Sequence, residues 1–175
     1  MRGELLVPER FPKVPIGRRV AAFAIDFVAV SLLSLLLAGV WYFPFFLIFW
    51  LGMRVIWVAK NHGQSLGRWA LDMRVVNQRY GSVPPLMDLT VREAITGLGA
   101  ALALTGLVNL SPTNGVLLVL PVPLLVDCGL ALLDTQRQQA GHDRLARTLV
   151  VESRRGYGLD LKVKNLFAQV QHRVK

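Results

Sequence analysis

The fold is decided by a long apolar stretch at residues 20–59, which reads VAAFAIDFVAVSLLSLLLAGVWYFPFFLIFWLGMRVIWVA. This stretch contains only two charged residues, Asp26 and Arg54. A membrane-spanning helix needs about 20 predominantly apolar residues, so the stretch is long enough for two of them. Gly39 and Pro44 flank its midpoint, where glycine and proline favour a turn and the aromatic rings between them favour the membrane interface. We therefore predict helices over residues 20–40 and 43–59.

Two further apolar segments follow in the second half of the chain. Residues 94–110 are uncharged and end at the turn-forming sequence SPTNG, and residues 116–133 carry a single charge at Asp127. The sequence thus predicts an all-α polytopic membrane protein with four transmembrane helices in two antiparallel hairpins. We divide the chain into an N-terminal segment (1–17), a membrane domain (18–151) with a hydrophilic loop at 60–93, and a basic tail (152–175).

The basic residues are distributed on one side of this arrangement. The 175-residue chain is 53% hydrophobic and 18% charged, yet its formal net charge is +9; soluble domains carry about 25% charged residues. Apart from Arg54, lysine and arginine lie before the first helix, in the 60–93 loop and after the fourth helix, and both short turns lack them. This positive-inside pattern predicts that both termini are cytoplasmic. Topology accounts for the excess charge, so we expect no nucleic-acid partner.

The loop at 60–93 is expected to contain a small α/β-like region. Ser65 is placed to cap a short helix whose apolar face lies on the membrane surface, with Arg68 and Asp72 on the opposite face. Arg74–Val76 and Thr148–Val151 are rich in β-branched residues, and we expect them to pair as a small sheet below the membrane.

The third helix has two distinguishing features. Thr90 and Glu93 have the spacing of a capping box immediately before the predicted helix start. The helix itself is rich in glycine and alanine, and such small residues let helices approach closely in lipid. This small-residue face has two possible uses, packing within one chain or a dimer interface, and we favour packing within the chain.

The tail predicts a basic amphipathic helix. Apolar residues such as Phe167 recur at helical spacing and are flanked by Lys162, Lys164 and Arg173. Helices of this kind bind anionic lipid headgroups or a partner protein, and we expect lipid contact because the tail is tethered beside the bilayer.

Ionisable residues inside the predicted spans are functional candidates by default. Asp26, Arg54 and Asp127 all fall about 10 Å inside the same membrane edge at 1.5 Å per residue, so we group them as one charged layer. With both acids ionised the layer carries a formal charge of −1, which suits a proton or cation site; the alternative is a structural ion-pair network. Arg19 and Asp134 lie near the membrane edge and form a possible pair across helices.

The sequence gives no sign of an enzyme or of a resident cofactor. Cys128 is the single cysteine, and the three histidines lack paired ligand spacing, so we expect neither a disulfide nor a metal site. There is no nucleophile elbow and no phosphate-binding loop.

The motifs of the chain, taken together, resemble those of a known family of bacterial membrane proteins. They are, in order, RVAAFAID at 19–26, GQSLGR at 63–68, RVV at 74–76, Gly81, Arg92, and RQQAGHDRLARTLVV at 137–151. This set resembles the RDD family, which is named for one arginine and two aspartates. The resemblance implies that Arg19, Asp26 and Asp143 are the family residues, with Asp127 as the competitor for the second aspartate. Arg68 and Arg147 depart from the pattern, which commonly has lysine and glycine at these positions.

The resemblance implies a place in a bacterial cytoplasmic membrane or a thylakoid-type internal membrane. It also implies transport, since RDD proteins are often proposed to transport unknown ligands and some members resemble sodium/proton exchangers in activity. We therefore carry two hypotheses. In the first, a homo-oligomer moves a small cation, proton or small solute. In the second, the chain is a non-catalytic accessory or assembly subunit of a larger membrane complex.

Overall fold

The computed structural model describes residues 14–134 and 137–153 and is mainly helical, with 68% of its residues in helices. The tail residues Lys162, Lys164, Phe167 and Arg173 and most of the N-terminal segment lie outside the described residues. The elements are α1 (Ile16–Ala38), α2 (Tyr42–Leu51), a π-helical turn (Gly52–Trp57), α3 (Val58–Lys60), α4 (Leu66–Ala70), β1 (Met73–Asn77), α5 (Leu86–Val108), α6 (Val122–Leu133), α7 (Gly141–Leu145) and β2 (Thr148–Glu152), with short 3-10 helices at Gly39–Trp41 and Gly115–Val119.

Three helical segments are long and apolar enough to cross a membrane. They are Ile16–Leu37, Tyr42–Lys60 and Leu86–Val108. The fourth apolar segment, Leu117–Leu133, is shorter. It is divided because Pro121 lies between a 3-10 helix and α6, and a proline ring cannot donate the backbone hydrogen bond that would continue the helix. The fourth span and the double-hairpin arrangement therefore stay predictions.

The third long helix begins eight residues earlier than the sequence indicated. α5 starts after Pro85 rather than at residue 94. Thr90 is inside the helix and its hydroxyl donates to the Leu86 carbonyl at 2.8 Å, so the predicted capping box is wrong. Its second member, Glu93, points into the protein and is fully buried. The reason is that arginines on neighbouring elements offer this carboxylate stronger, charge-assisted hydrogen bonds.

The small sheet between the two distant segments is confirmed. β1 and β2 pair antiparallel, with Val75 opposite Val150. The segment before β1 folds onto the sheet because Val75 donates its N–H to the carbonyl of Gly63 at 2.8 Å. Gly63 has φ +86, and a side chain there would collide with the Val75 carbonyl. The sheet therefore holds the 61–85 connection against the helix ends.

Helix α4 has the predicted N-terminal cap, but its arginine, Arg68, points into the protein and not outward. The Ser65 hydroxyl accepts a hydrogen bond from the Arg68 N–H, as the sequence indicated. Leu66 and Trp69 are exposed, as expected of a helix on a membrane surface. Arg68 was expected on the polar outer face and is instead buried, because Glu93 is its partner at 2.9 Å.

The main apolar core packs α1, α2 and α5 together. Its buried members are Val30, Phe46, Trp50, Ala100, Ala101 and Leu104. Gly97 lets the Trp50 ring lie directly on α5, since a methyl group there would overlap the indole. The small-residue face of the third helix is thus used for packing within one chain, as predicted. This core fills the space beyond the charged residues described next.

Candidate functional site

Asp26 is fully buried and joins three elements at one carboxylate. It accepts hydrogen bonds from Arg54 Nη1 at 2.8 Å, from the Ser65 hydroxyl at 2.6 Å and from the Gly67 N–H at 2.7 Å. Hydrogen bonds from charged donors such as Arg54 are shorter and stronger than those between neutral groups. Asp26 therefore fastens the α4 segment to α1, and its acceptor sites are taken by the protein itself.

Arg54 lies in the π-helical turn, and its guanidinium bridges two carboxylates. Besides Asp26, it contacts Glu93 through Nε at 2.7 Å. The guanidinium carbon also lies 5.5 Å from the centre of the Phe23 ring and 4.7 Å from that of Trp50. Aromatic faces stabilise a desolvated cation, and π-helical turns are frequent at functional sites. Asp26 and Arg54, which were grouped in one charged layer from the sequence, therefore contact each other directly.

Glu93 is the residue of this site that sequence reasoning missed. It contacts Arg54 and Arg68 and accepts from the Thr96 hydroxyl at 3.0 Å, while Arg92 Nε lies 3.7 Å away. A signal was present in the sequence: Glu93 lies three, four and seven residues before Thr96, Gly97 and Ala100, on the face that packs inward. Because Glu93 was interpreted as part of a helix cap, its inward-facing position was not predicted.

Asp143 is the third carboxylate of the site and, like Glu93, lies next to Arg92. It contacts Arg19 at 2.6 Å and Arg92 at 3.1 Å, and it accepts from the Thr148 hydroxyl at 3.1 Å. Burial raises the pKa of Asp143, but Arg92, His142 and Arg19 outweigh burial and hold that pKa well below its ordinary value. Asp143 is therefore ionised at any physiological pH.

The predicted edge pair of Arg19 and Asp134 is not what the structure forms. Arg19 donates to Asp143 and to the carbonyl of Gln138. Asp134 accepts the N–H groups of Arg137 at 3.0 Å and Gln139 at 3.2 Å, and so acts as a cap for the turn that follows α6. Asp134 also lies 3.6 Å from the guanidinium of Arg144, whereas Arg19 has the buried carboxylate of Asp143 beside it.

Asp127 does not join the charged layer that the sequence suggested. It accepts the backbone N–H of His142 at 2.8 Å and lies 2.5 Å from Nδ1 of the same residue. Helix α7 packs on α6 and brings His142 there, a contact that spacing along α6 cannot reveal. The charged layer is completed by Glu93 instead.

Asp127, Cys128 and His142 offer three metal-ligand atoms within 4.8 Å of one another. The sequence predicted no metal site, and the surroundings favour that prediction. Asp127 and His142 already bond to each other, and Asp143, beside His142, is held by two arginines that oppose a further cation.

The charged groups surround one cavity of about 210 Å³. Its wall includes four arginines, which are Arg19, Arg54, Arg68 and Arg92. Three carboxylates pair with them, which are Asp26, Glu93 and Asp143. With every group ionised this cluster carries a formal charge of +1, opposite in sign to the layer predicted from the sequence. The reversal follows from Arg68 and Arg92, which were assigned to the hydrophilic loop and are buried instead.

Two of these arginines have hydrogen-bond donors without a partner. Arg68 and Arg92 are 3% and 2% exposed, and Nη1 of each, together with Nε of Arg92, finds no acceptor among the described residues. Burial, together with the charges of Arg54 and Arg92, lowers the pKa of the Arg68 guanidinium to about 9. Arginine keeps its charge at neutral pH even so. Buried donors without acceptors are rare and call for an explanation such as a bound anion.

The comparison with known proteins fits this geometry. The model of the RDD family matches residues 13–147. The chain belongs to the RDD family. The comparisons with curated proteins and with solved structures found no match.

The residues that the resemblance assigned to the RDD motif lie in the charged cluster. Of the family residues assigned by resemblance, Arg19 and Asp143 contact each other, and Asp26 binds Arg54. The competitor Asp127 lies outside the cluster, against His142. Arg147, where the RDD pattern commonly has glycine, has φ +50, a backbone conformation that favours glycine.

The lowered pKa of Asp143 predicts a loss of stability in acid for this RDD protein. An unfolded aspartate binds its proton near pH 3.9, whereas the folded one resists it, so the stabilisation is complete above about pH 5 and declines as the pH falls below about 4. We expect the difference in thermal unfolding midpoint between the wild type and Asp143→Asn, measured in mild detergent, to be constant above about pH 5 and to shrink toward about pH 3. A difference that stays constant across this range would contradict the assignment.

Proposed function

We propose that this RDD protein binds a small anionic solute in the arginine-lined cavity and moves it across the membrane as a homo-oligomer. The observation that carries the proposal is the set of buried N–H groups of Arg68 and Arg92 that have no acceptor among the described residues. A carboxylate or phosphate group satisfies such donors by charge-assisted hydrogen bonds. The excess positive charge of the cluster favours the same class of ligand.

The alternative ligand, a proton or small cation, has less support. The three carboxylates that could bind it, Asp26, Glu93 and Asp143, each already accept hydrogen bonds from arginine and at least one further donor. A cation entering there would have to displace an arginine and would meet the remaining positive charges. We therefore favour an anion over a cation as the ligand of this site.

The orientation in the membrane belongs to the same proposal. The cavity lies at the end of the helices where α1 begins and where the β1–β2 sheet packs. The positive-inside rule places this end at the cytoplasmic face of a bacterial membrane, so the ligand would enter from the cytoplasm or from the inner leaflet.

One observation favours the second candidate function, an accessory subunit that binds an anion without moving it. The core of Val30, Phe46, Trp50 and their neighbours fills the space between α1, α2 and α5 beyond the cluster. A transport cycle must open this packing or use a path between copies of the chain. An accessory subunit needs neither.

Anion binding is tested by thermal unfolding of the purified protein in mild detergent at constant ionic strength. We expect inorganic phosphate or acetate to raise the unfolding midpoint, and sodium exchanged for choline to leave it unchanged. Arg68→Gln should remove the anion response, and Arg79→Gln, at an exposed loop arginine, should keep it. A sodium response without an anion response would overturn the proposal in favour of the cation.

Transport is separated from accessory binding by flux. Proteoliposomes loaded with labelled phosphate or acetate should release the anion faster with wild-type protein than with Arg68→Gln. Binding without release, together with a companion protein that co-purifies in stoichiometric amount, would favour the accessory subunit.

A further inference from the structure

Apart from the four arginines and the side chains of Thr96, Cys128 and His142, the walls of the arginine-lined cavity are apolar. Helix α1 contributes Ile16, Val20 and Phe23, and helix α6 contributes Leu124 and Leu125. A small hydrated anion gains nothing from hydrocarbon walls, and burying it against them costs free energy. A ligand that is anionic at one end and apolar along the rest satisfies both the arginines and the walls.

The cavity also opens sideways, between α1 and α6. Val20 and Leu125 line it, yet they are 61% and 66% exposed, so each side chain faces both the cavity and the outer surface of the helices. Val20 lies four residues after the start of α1, about 6 Å along its axis, and Leu125 lies eight residues before the end of α6, about 12 Å along that axis. At these depths the opening faces the region where lipid headgroups meet acyl chains.

We propose that the ligand of this site is an anionic amphiphile, with a carboxylate or phosphate headgroup and a hydrocarbon chain, that enters laterally between α1 and α6. The headgroup accepts hydrogen bonds from the N–H groups of Arg68 and Arg92 that lack an acceptor among the described residues, and the hydrocarbon chain of the ligand runs past Val20 and Leu125 into the bilayer. This inference rests on the proposed function and narrows its ligand from any small anion to a lipid-like one.

The test compares three probes on the purified protein: dioctanoyl phosphatidic acid, dioctanoyl phosphatidylcholine and inorganic phosphate. Native mass spectrometry counts bound probe, and thermal unfolding reports the stabilisation. We expect phosphatidic acid to bind, the zwitterionic lipid to bind at least about tenfold more weakly, and Arg68→Gln to weaken phosphatidic acid by about tenfold, because one charge-assisted hydrogen bond is lost.

The lateral opening is tested by a pair of matched leucine variants. Leu125 and Leu132 lie on the same helix and are equally exposed, at 66%, but only Leu125 is among the residues that line the cavity. Leu125→Trp should block the opening and reduce binding of phosphatidic acid, while inorganic phosphate still binds. Leu132→Trp should change neither.

The outcomes separate this inference from the proposed function. If inorganic phosphate stabilises as strongly as phosphatidic acid and Leu125→Trp has no effect, the ligand is a free anion, and only the lateral-entry inference fails. If neither anion binds and Arg68→Gln behaves as the wild type, both proposals fail. Equal binding of phosphatidic acid and phosphatidylcholine would also overturn the inference, since the arginines would then play no part.

Discussion

Glu93→Gln is expected to destabilise the protein by about 3–5 kcal/mol, the range for removing one partner of a buried ion pair. The substitution keeps the shape of the side chain but removes the charge that Arg54 and Arg68 share, at 2.7 and 2.9 Å. Both guanidinium groups stay buried, and Asp26 alone cannot compensate them. The measurement is the free energy of unfolding, obtained by titrating detergent-solubilised protein with a denaturing detergent.

Glu152→Gln is the matched control for this result. It makes the same chemical change at a carboxylate that pairs with Arg18 at 2.7 Å, but the Glu152 side chain is 34% exposed. Partly exposed ion pairs contribute about 0–1 kcal/mol, so the control should stay within that range. Equal effects of the two substitutions would show that Glu93 is not the centre of the buried cluster.

Gly67→Ala is expected to give the second large effect, a loss of about 3 kcal/mol at the upper end of the range for overpacking. A methyl group at this position would overlap the carbonyl of Ala22, so α4 must move away from α1. That movement also pulls the Gly67 N–H away from Asp26. The atoms of Ala22 that the methyl group would meet all belong to the backbone, so no side-chain rotation relieves the overlap.

Gly129→Ala provides the comparison for Gly67. Gly129 also lies in a helix, and a methyl group there meets no atom within 4 Å. Alanine is a better helix former than glycine by about 1 kcal/mol, so this variant should be as stable as the wild type or slightly more so. If Gly67→Ala unfolds at the same denaturant concentration as Gly129→Ala, the tight contact between α4 and α1 is refuted.

The sequence predicts those parts of the fold that depend on local pattern. The apolar runs predicted α1 and the helical segment Tyr42–Lys60 to within a few residues, because hydrophobic length alone decides which segments suit a membrane. The β-branched runs at 74–76 and 148–151 predicted the sheet, and Ser65 predicted the start of α4. Asp26 and Arg54 were grouped because they lie at similar distances from the membrane edge along their helices. This distance follows directly from the position of a residue in the sequence.

The rest of the site depends on which elements meet in space. Glu93 was taken for a cap because a capping box and an inward-facing acid have the same sequence. Arg68 and Arg92 were placed in a hydrophilic loop, where arginine is usual, and their burial follows from contacts with α5 and α7 that no local pattern encodes. Asp127 was placed correctly along α6, but its partner His142 comes from a separate helix.

Because of the π-helical turn at Gly52–Trp57, the direction of the Arg54 side chain in the charged cluster depends on the number of residues in its helix. Such a turn holds one residue more than the surrounding α-helix needs, and each residue of an α-helix turns the chain by about 100°. Deleting a single residue of the turn before Arg54 would therefore rotate the guanidinium away from Asp26 and Glu93, although Arg54 itself is kept. In an alignment of related chains, a gap at this point would matter as much as the loss of the arginine itself.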